Sequence, residues 1–312
     1  MCCINYFIKI KNPKTYFIFL ILIILFLIEN KKTTAQNLPF PQPTDSLHTG
    51  RLQLVAGGAL GLTAATYTAL GAAWYASGLG GPFRYFDDSR QWLQLDKLGH
   101  SYGAYHVSRT LMSGLRWAGT SERTQVLCGG LSGFLFQLPI EIFDGFSPDY
   151  GASWADLAFN AAGSGLAVGN QLLWRGQRVL LRFSARPTTW AAQAPDLLGR
   201  TLPERLLKDY NGQTYWLTAA PGHWLGRWKW LSAAVGLGGA GMLGGYGTEP
   251  WADLRAREHR RYFLSVDIDW MAIPTRRRGL RLLFFALQAI KLPAPALEWN
   301  ARTGWQAHAV YF

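Results

Sequence analysis

The stretch from Leu52 to Gly80, LQLVAGGALGLTAATYTALGAAWYASGLG, runs 29 residues without a charge. At about 1.5 Å per helical residue this outreaches the roughly 20 apolar residues a bilayer-spanning helix needs. Three further helices are predicted beyond it: Asp96–Trp117, Thr124–Phe143 with Ser121 as cap, and Trp154–Trp174 opened by Ser153 and Asp156 in capping-box spacing. Each of the four carries one GxxxG pair: Gly57/Gly61, Gly99/Gly103, Gly129/Gly133 and Gly165/Gly169. Small residues four apart let helix backbones approach closely in lipid. Trp74, Trp92, Trp117, Trp154 and Trp174 sit near the ends of these runs, where an interfacial belt would place them. The expected fold is therefore mainly α: a bundle of about four Gly-rich membrane-type helices, with a C-terminal mixed α/β segment containing a few short strands.

Upstream, Lys9, Lys11 and Lys14 precede the apolar run Tyr16–Ile28, and Thr33 and Ala35 stand at the −3 and −1 positions of a small-residue exit. That pattern reads as a signal peptide, with a retained membrane anchor as the weaker alternative because a spanning helix needs about 20 apolar residues. The expected organisation is 1–35 signal peptide, 36–50 a Pro-containing linker, 51–182 a helical membrane-embedded domain and 183–312 the mixed segment. The expected location is the cell envelope, membrane-associated, with the outer membrane or the periplasmic side favoured and the inner membrane as the alternative. Cys2 and Cys3 lie before the apolar run, so the exported chain keeps only Cys128 and builds neither an internal disulfide nor a cysteine zinc site.

Composition agrees with this reading. Hydrophobic residues make up 49% and charged residues only 16%, against about 25% charged in ordinary soluble domains. The aromatic content excludes a disordered chain. The net charge of +12 comes largely from arginines scattered between apolar runs, without an RNA-binding aromatic motif. Membrane lipid is the expected partner rather than nucleic acid; the sequence names no protein partner.

Downstream of Arg175, Thr201 and Glu204 form a capping box for a short helix, and Asn211-Gly212 is a turn before a strand at Gln213–Thr218. Tyr262–Trp270 alternates, with Leu264, Val266, Ile268 and Trp270 on the face expected to be buried and Ser265, Asp267 and Asp269 on the wet face. Trp305–Phe312 reads as another strand, and Trp230–Gly247 has no assignable type. Repeated ten-residue alternating segments, the signature of an outer-membrane barrel, are not visible.

Against the apolar background the polar residues are informative by spacing. Asp96 and His100 are four apart at the start of the second helix, Glu141 and Asp144 three apart at the end of the third, and Asp156 and Asn160 four apart at the start of the fourth. Alternating helices bring all six to one end of the bundle. Four carboxylates, an imidazole and an amide suit a divalent metal such as Zn, Mn or Mg holding a water. His100, Glu141 and Asp144 are the candidate ligands; Asp96, His100 and Asp156 are the candidate catalytic groups; Asn160 is a candidate binding residue. Plainer roles stand beside these: Asp96 and Asp156 as helix caps, Asn160 and His100 as interhelical hydrogen-bonding groups. His106 is out of phase with His100 and is left out. The expected function is a structural or partner-binding polar cluster in a membrane-associated envelope protein, with a membrane-embedded, metal-dependent hydrolase of a lipid or cell-wall precursor as the alternative.

Asp96-Lys97-Leu98-Gly99-His100, Glu141-Ile142-Phe143-Asp144-Gly145-Phe146-Ser147 and Gly151-Ala152-Ser153-Trp154-Ala155-Asp156-Leu157-Ala158-Phe159-Asn160-Ala161-Ala162-Gly163 resemble the YfiM-like family of envelope proteins, and Lys208–Trp216 resembles a segment of its Bacteroidota members. The resemblance implies a predicted periplasmic lipoprotein with a domain of unknown function, and no activity. The chain departs from that label in having no cysteine just after its apolar leader run. The Asp96–His100 and Asp156–Asn160 pieces are also similar, over a shorter span, to VanZ-like membrane proteins.

Overall fold

Helix α1, Thr49–Trp74, opens at His48, whose ring accepts a hydrogen bond from the Arg51 amide. A computed structural model describes residues 44, 46–75, 78–220, 228–245 and 257–312. The leader and most of the linker lie outside the described residues. Helix α2 spans Leu95–Trp117. Helix α3, Ser132–Phe146, is preceded by the turn Glu122–Thr124 and a π-helical stretch, Gln125–Gly129. Helix α4 spans Trp154–Trp174 and is capped as its spacing predicts, with Ser153 Oγ accepting from the Asp156 amide.

Four helices thus occupy the four stretches, yet the mainly α membrane bundle is not the fold. A six-stranded antiparallel sheet follows them, and α2 lies at the centre of the molecule between the sheet and the helices α3 and α4. By length and composition only two runs among the described residues, Thr49–Ala72 and Glu122–Phe146, are apolar enough to cross a membrane, with mean hydropathy 1.3 and 1.6. Helix α2 is too polar, because it buries Lys97, Ser101, Ser108 and Arg109. Three of its side chains reach the sheet side: Tyr105 donates to the Val179 carbonyl, His106 bonds the Leu181 carbonyl at 2.7 Å, and Arg109 donates to the Phe285 carbonyl at 2.6 Å.

The four GxxxG pairs are not four packing seams either. Gly57, Gly61, Gly165 and Gly169 have no neighbour within 4 Å of where a β-carbon would stand. Close approach to α2 comes at Gly129, where a β-carbon would press on the Met112 backbone, at Gly133 on the Ala104 carbonyl, and at Gly163 on the Ser101 carbonyl; on α2 itself Gly99 meets the Tyr215 hydroxyl. Gly133, Gln137, Glu141 and Gly145, four residues apart, are the buried stripe of α3. The apolar Leu135 and Ile142 of that helix face outward.

The sheet is a meander in chain order: β1 Val179–Ala185, β2 Gln213–Ala219, β3 Leu231–Ala240, β4 His259–Ile268, β5 Ala294–Asn300 and β6 Gly304–Tyr311. Helix α5, Leu202–Lys208, carries the expected Thr201–Glu204 capping box before β2, and α6, Arg278–Leu287, precedes β5. The sheet curls until Thr214 of β2 and Tyr311 of β6 touch across it at 3.1 Å. Its inner face is polar: Arg182 pairs with Asp267 at 3.0 Å, and Arg261 binds both Glu298 oxygens at 2.7 and 2.6 Å, around Trp216, Phe263 and Tyr311. The outer face of β1–β3 packs on α2, where Phe183, Tyr215 and Leu237 meet Leu95 and Tyr102.

The two faces of β4 are therefore the reverse of the expected ones. Asp267 is buried at 3% exposure while Val266 is 44% exposed. The ion pair with Arg182 draws the acid inward, and the alternating apolar residues face away from the polar interior. Just before α2, Trp92, Leu93 and Gln94 are left-handed, with φ of 49, 54 and 64°. Packing of Trp92 and Leu93 with Leu95, Tyr215 and Met242 holds this unfavourable turn.

Candidate functional site

The starts of α2 and α4 and the loop before α2 converge on a single ammonium group. Lys97 is fully buried, and its Nζ contacts Asp96 at 2.9 Å, Asp156 at 2.8 Å and also Asp88. Burial alone would depress the Lys97 ammonium, but Asp96 and Asp156 beside it overcome that and raise its pKa. Asp88 further accepts from the Ser153 hydroxyl, so the residue that caps α4 is itself tied to the loop.

His100, one turn further along α2, faces the remaining acids. Its Nε2 lies 3.5 Å from Asp156 Oδ1, and its Nδ1 lies 3.7 Å from Glu141 Oε1 and 3.1 Å from Asn160 Oδ1. One ring nitrogen, one Glu141 oxygen and one Asp156 oxygen all fall within 4.8 Å of one another, as do Asp88, Asp96 and Asp156 around Lys97. Glu141 is held by the Ser153 amide, which donates to its Oε2 at 3.1 Å. Its Oε1 is buried with no hydrogen-bond donor, and Asn160 Nδ2 is likewise without a partner.

Carboxylates outnumber cations in this space. Burial, reinforced by Asp156, pushes Glu141 up to about 8, and burial pushes Asp96 up to about 6 against the opposing pull of Lys97. Asp156 is raised too, chiefly by burial, with His100 and Lys97 opposing. Even beside Lys97, the cluster holds protons on acids that ordinarily lose them near pH 4.

Of the residues named from sequence, the structure brings together Asp96, His100, Glu141, Asp156 and Asn160. Asp144 stands aside: it accepts from Tyr75 at 2.8 Å, and burial raises its pKa to about 6. Tyr75 also lines an apolar pocket of about 320 Å³ between α1 and α3, with Tyr67, Leu70, Ile140 and Phe143. Three participants escaped the sequence reading. Lys97 carried a signal, a lysine beside Asp96 at the head of an otherwise buried helix. Asp88 and Tyr75 carried none, because they sit outside the helical spacing that selected the others. His106 is not part of this cluster; burial and then Arg109 bring its pKa down to about 3, and it serves as a neutral link to β1.

A family model described as a predicted periplasmic lipoprotein (DUF2279) matches residues 84–171, the stretch that holds Asp88, Asp96, Lys97, His100, Glu141, Asp156 and Asn160. No curated protein and no solved structure matches the chain. The match supports the coarser part of the sequence resemblance, an envelope family without an assigned function, and does not extend to the YfiM-like or VanZ-like reading. The protein is exported and envelope-associated.

Proposed function

We propose that this exported envelope protein binds a divalent metal ion through His100, Glu141 and Asp156, and that the loaded site fastens α2, α3 and α4 into a platform of structural or partner-binding use. The observation that carries the reading is Glu141 Oε1, a buried acceptor without a donor, in a group where one ligand atom each of His100, Glu141 and Asp156 falls within 4.8 Å of the others. One imidazole with two carboxylates suits Zn or Mn. Asn160, at hydrogen-bond distance from Nδ1, would orient the ring, as outer partners of metal-binding histidines do. Asp144, the third ligand expected from sequence, drops out of the set because Tyr75 engages it, and Asp156 takes its place. The test is elemental analysis of protein purified in mild detergent without chelator, beside Glu141→Gln and Asp156→Asn. Near-stoichiometric metal in the wild type, lost in the variants while they stay folded, is the expected result. A metal-free wild type whose unfolding temperature ignores added Zn, Mn and Mg would overturn the proposal.

A second reading, a metal-dependent hydrolase of a lipid or cell-wall precursor, is favoured by one feature. Three protein ligands leave a coordination position for water, the arrangement of hydrolytic rather than structural zinc. His100 is the partly exposed member, its side chain 21% accessible against 3% for Glu141 and 8% for Asp156, so the open position would face outward. Asp96, its carboxyl raised into the range of a useful base, would be the proton acceptor. This reading expects chelator-sensitive turnover of a lipid-linked precursor that Glu141→Gln abolishes; no turnover of any such lipid by metal-loaded protein leaves the platform alone.

A further inference from the structure

We infer that α6, with the arginines that lead into it, lies on the surface of an anionic lipid bilayer. The segment reads Thr275-Arg276-Arg277-Arg278-Gly279-Leu280-Arg281-Leu282-Leu283-Phe284-Phe285. Its sorting by exposure is unusual. Arg276, Arg277 and Arg278 are exposed, and so are Leu280, Leu282 and Leu283, at 38%, 60% and 49%.

These leucines are not needed to hold the helix in place. Phe284 stacks on Trp270 with ring centroids 5.5 Å apart, and Phe285 lies under the Arg109 guanidinium at 4.0 Å. Gln288, just past the helix, donates to Asp269 at 2.7 Å. The helix is thus docked by its aromatic side and shows its leucines outward. On the outer face of β4, Val266 is 44% exposed as well.

Charge selects the occupant. Between Trp270 and Leu297 the chain has no acidic residue, and the three exposed arginines with Arg281 border the leucines. Apolar side chains ringed by arginine are the composition of helices that lie in an interface and attract anionic headgroups. A two-fold contact between copies of this chain would set the same arginines against each other, which the charge disfavours. The envelope location puts a bilayer within reach.

The inference is tested with full-length protein in which Cys2, Cys3 and Cys128 are replaced by serine and one polarity-sensitive fluorophore is attached at Leu283→Cys. A label at Asp196→Cys, a residue 76% exposed in a different part of the chain, is the aqueous control. Both proteins are placed in nanodiscs of phosphatidylglycerol or of phosphatidylcholine with a spin-labelled lipid as quencher. The expected result is a blue shift and several-fold stronger quenching at 283 than at 196 in phosphatidylglycerol. Phosphatidylcholine, raised salt, or the triple change Arg276→Gln/Arg277→Gln/Arg278→Gln weakens it. A label at 283 as wet as the one at 196 in both lipids overturns the inference. So does equal quenching in the two lipids, or a shift that appears without lipid and grows with protein concentration, which would assign the face to a second copy.

Discussion

At the scale of single residues the fold is most exposed at two glycines. Gly133 and Gly163 let α3 and α4 rest on the backbone of α2, where a methyl group would strike the Ala104 and Ser101 carbonyls. Gly133→Ala and Gly163→Ala are each expected to cost about 1–3 kcal/mol in denaturant unfolding, since neither carbonyl can yield without shifting a helix. Gly165→Ala, two positions along α4 with open space around it, is expected to be neutral or to gain up to about 1 kcal/mol from helix propensity. Equal effects at 163 and 165 would contradict this. Sequence spacing selected Gly165/Gly169 as the seam of that helix and passed over Gly163, because a GxxxG pair records small residues without recording which way they face. The polar residues were more legible. Asp96, His100, Glu141, Asp156 and Asn160 stand out by helical spacing in an apolar chain. Lys97, whose one ammonium contacts three of the acids at once, was legible only as a lysine beside Asp96 at the head of a buried helix.

At the scale of elements, the decisive feature is the polar inside of the curled sheet. Arg261 is buried against Glu298, which also accepts from His308 and Asn300. Glu298→Ala leaves that guanidinium without its partner and is expected to cost about 3–5 kcal/mol, measured by chemical unfolding. The double change Glu298→Leu/Arg261→Met should recover most of the loss, and a double variant no better than the single one would show that the pair is not the cause. The period of two in Tyr262–Trp270 was plain in the sequence; which face is wet was not. Alternation says that two faces differ, and only the partner across the sheet, Arg182, says that the acids turn inward. β3, Leu231–Ala240, could not be typed because its alanines and glycines carry little strand preference. Its glycines make room instead, Gly236 lying against the Trp216 ring.

At the scale of the whole molecule, the titrating groups pull stability in opposite directions. Glu141 and Asp96 have folded-state pKa values raised to about 8 and 6, so the stability they contribute is present at low pH and is lost as pH rises through those values. His106 and Glu298 are lowered to about 3 and 2; the stability they contribute is lost as pH falls, from about 6.5 for the histidine and about 4.5 for the glutamate. Chelated protein should therefore lose unfolding temperature between pH 6 and pH 8, and Zn or Mn should restore more at pH 8 than at pH 6, because metal and proton compete for Glu141. An alkaline decline unaffected by metal would contradict both the site and its electrostatics. Export and envelope location were legible because targeting is compositional. The fold class was not, because α2 was read as one helix among four, whereas it is the shared wall between the other helices and a sheet whose β1, β3 and β5 left no clear trace. The buried lysine also orders events in time. Asp88 and Lys97 leave any export channel well before Asp156, which lies 59 residues beyond Lys97 in the chain. Until α4 arrives, the ammonium lacks one of its three carboxylates and cannot be stripped of water cheaply. The helical half is thereby expected to close late, with the docking of α2 waiting for the last of its partners to be delivered.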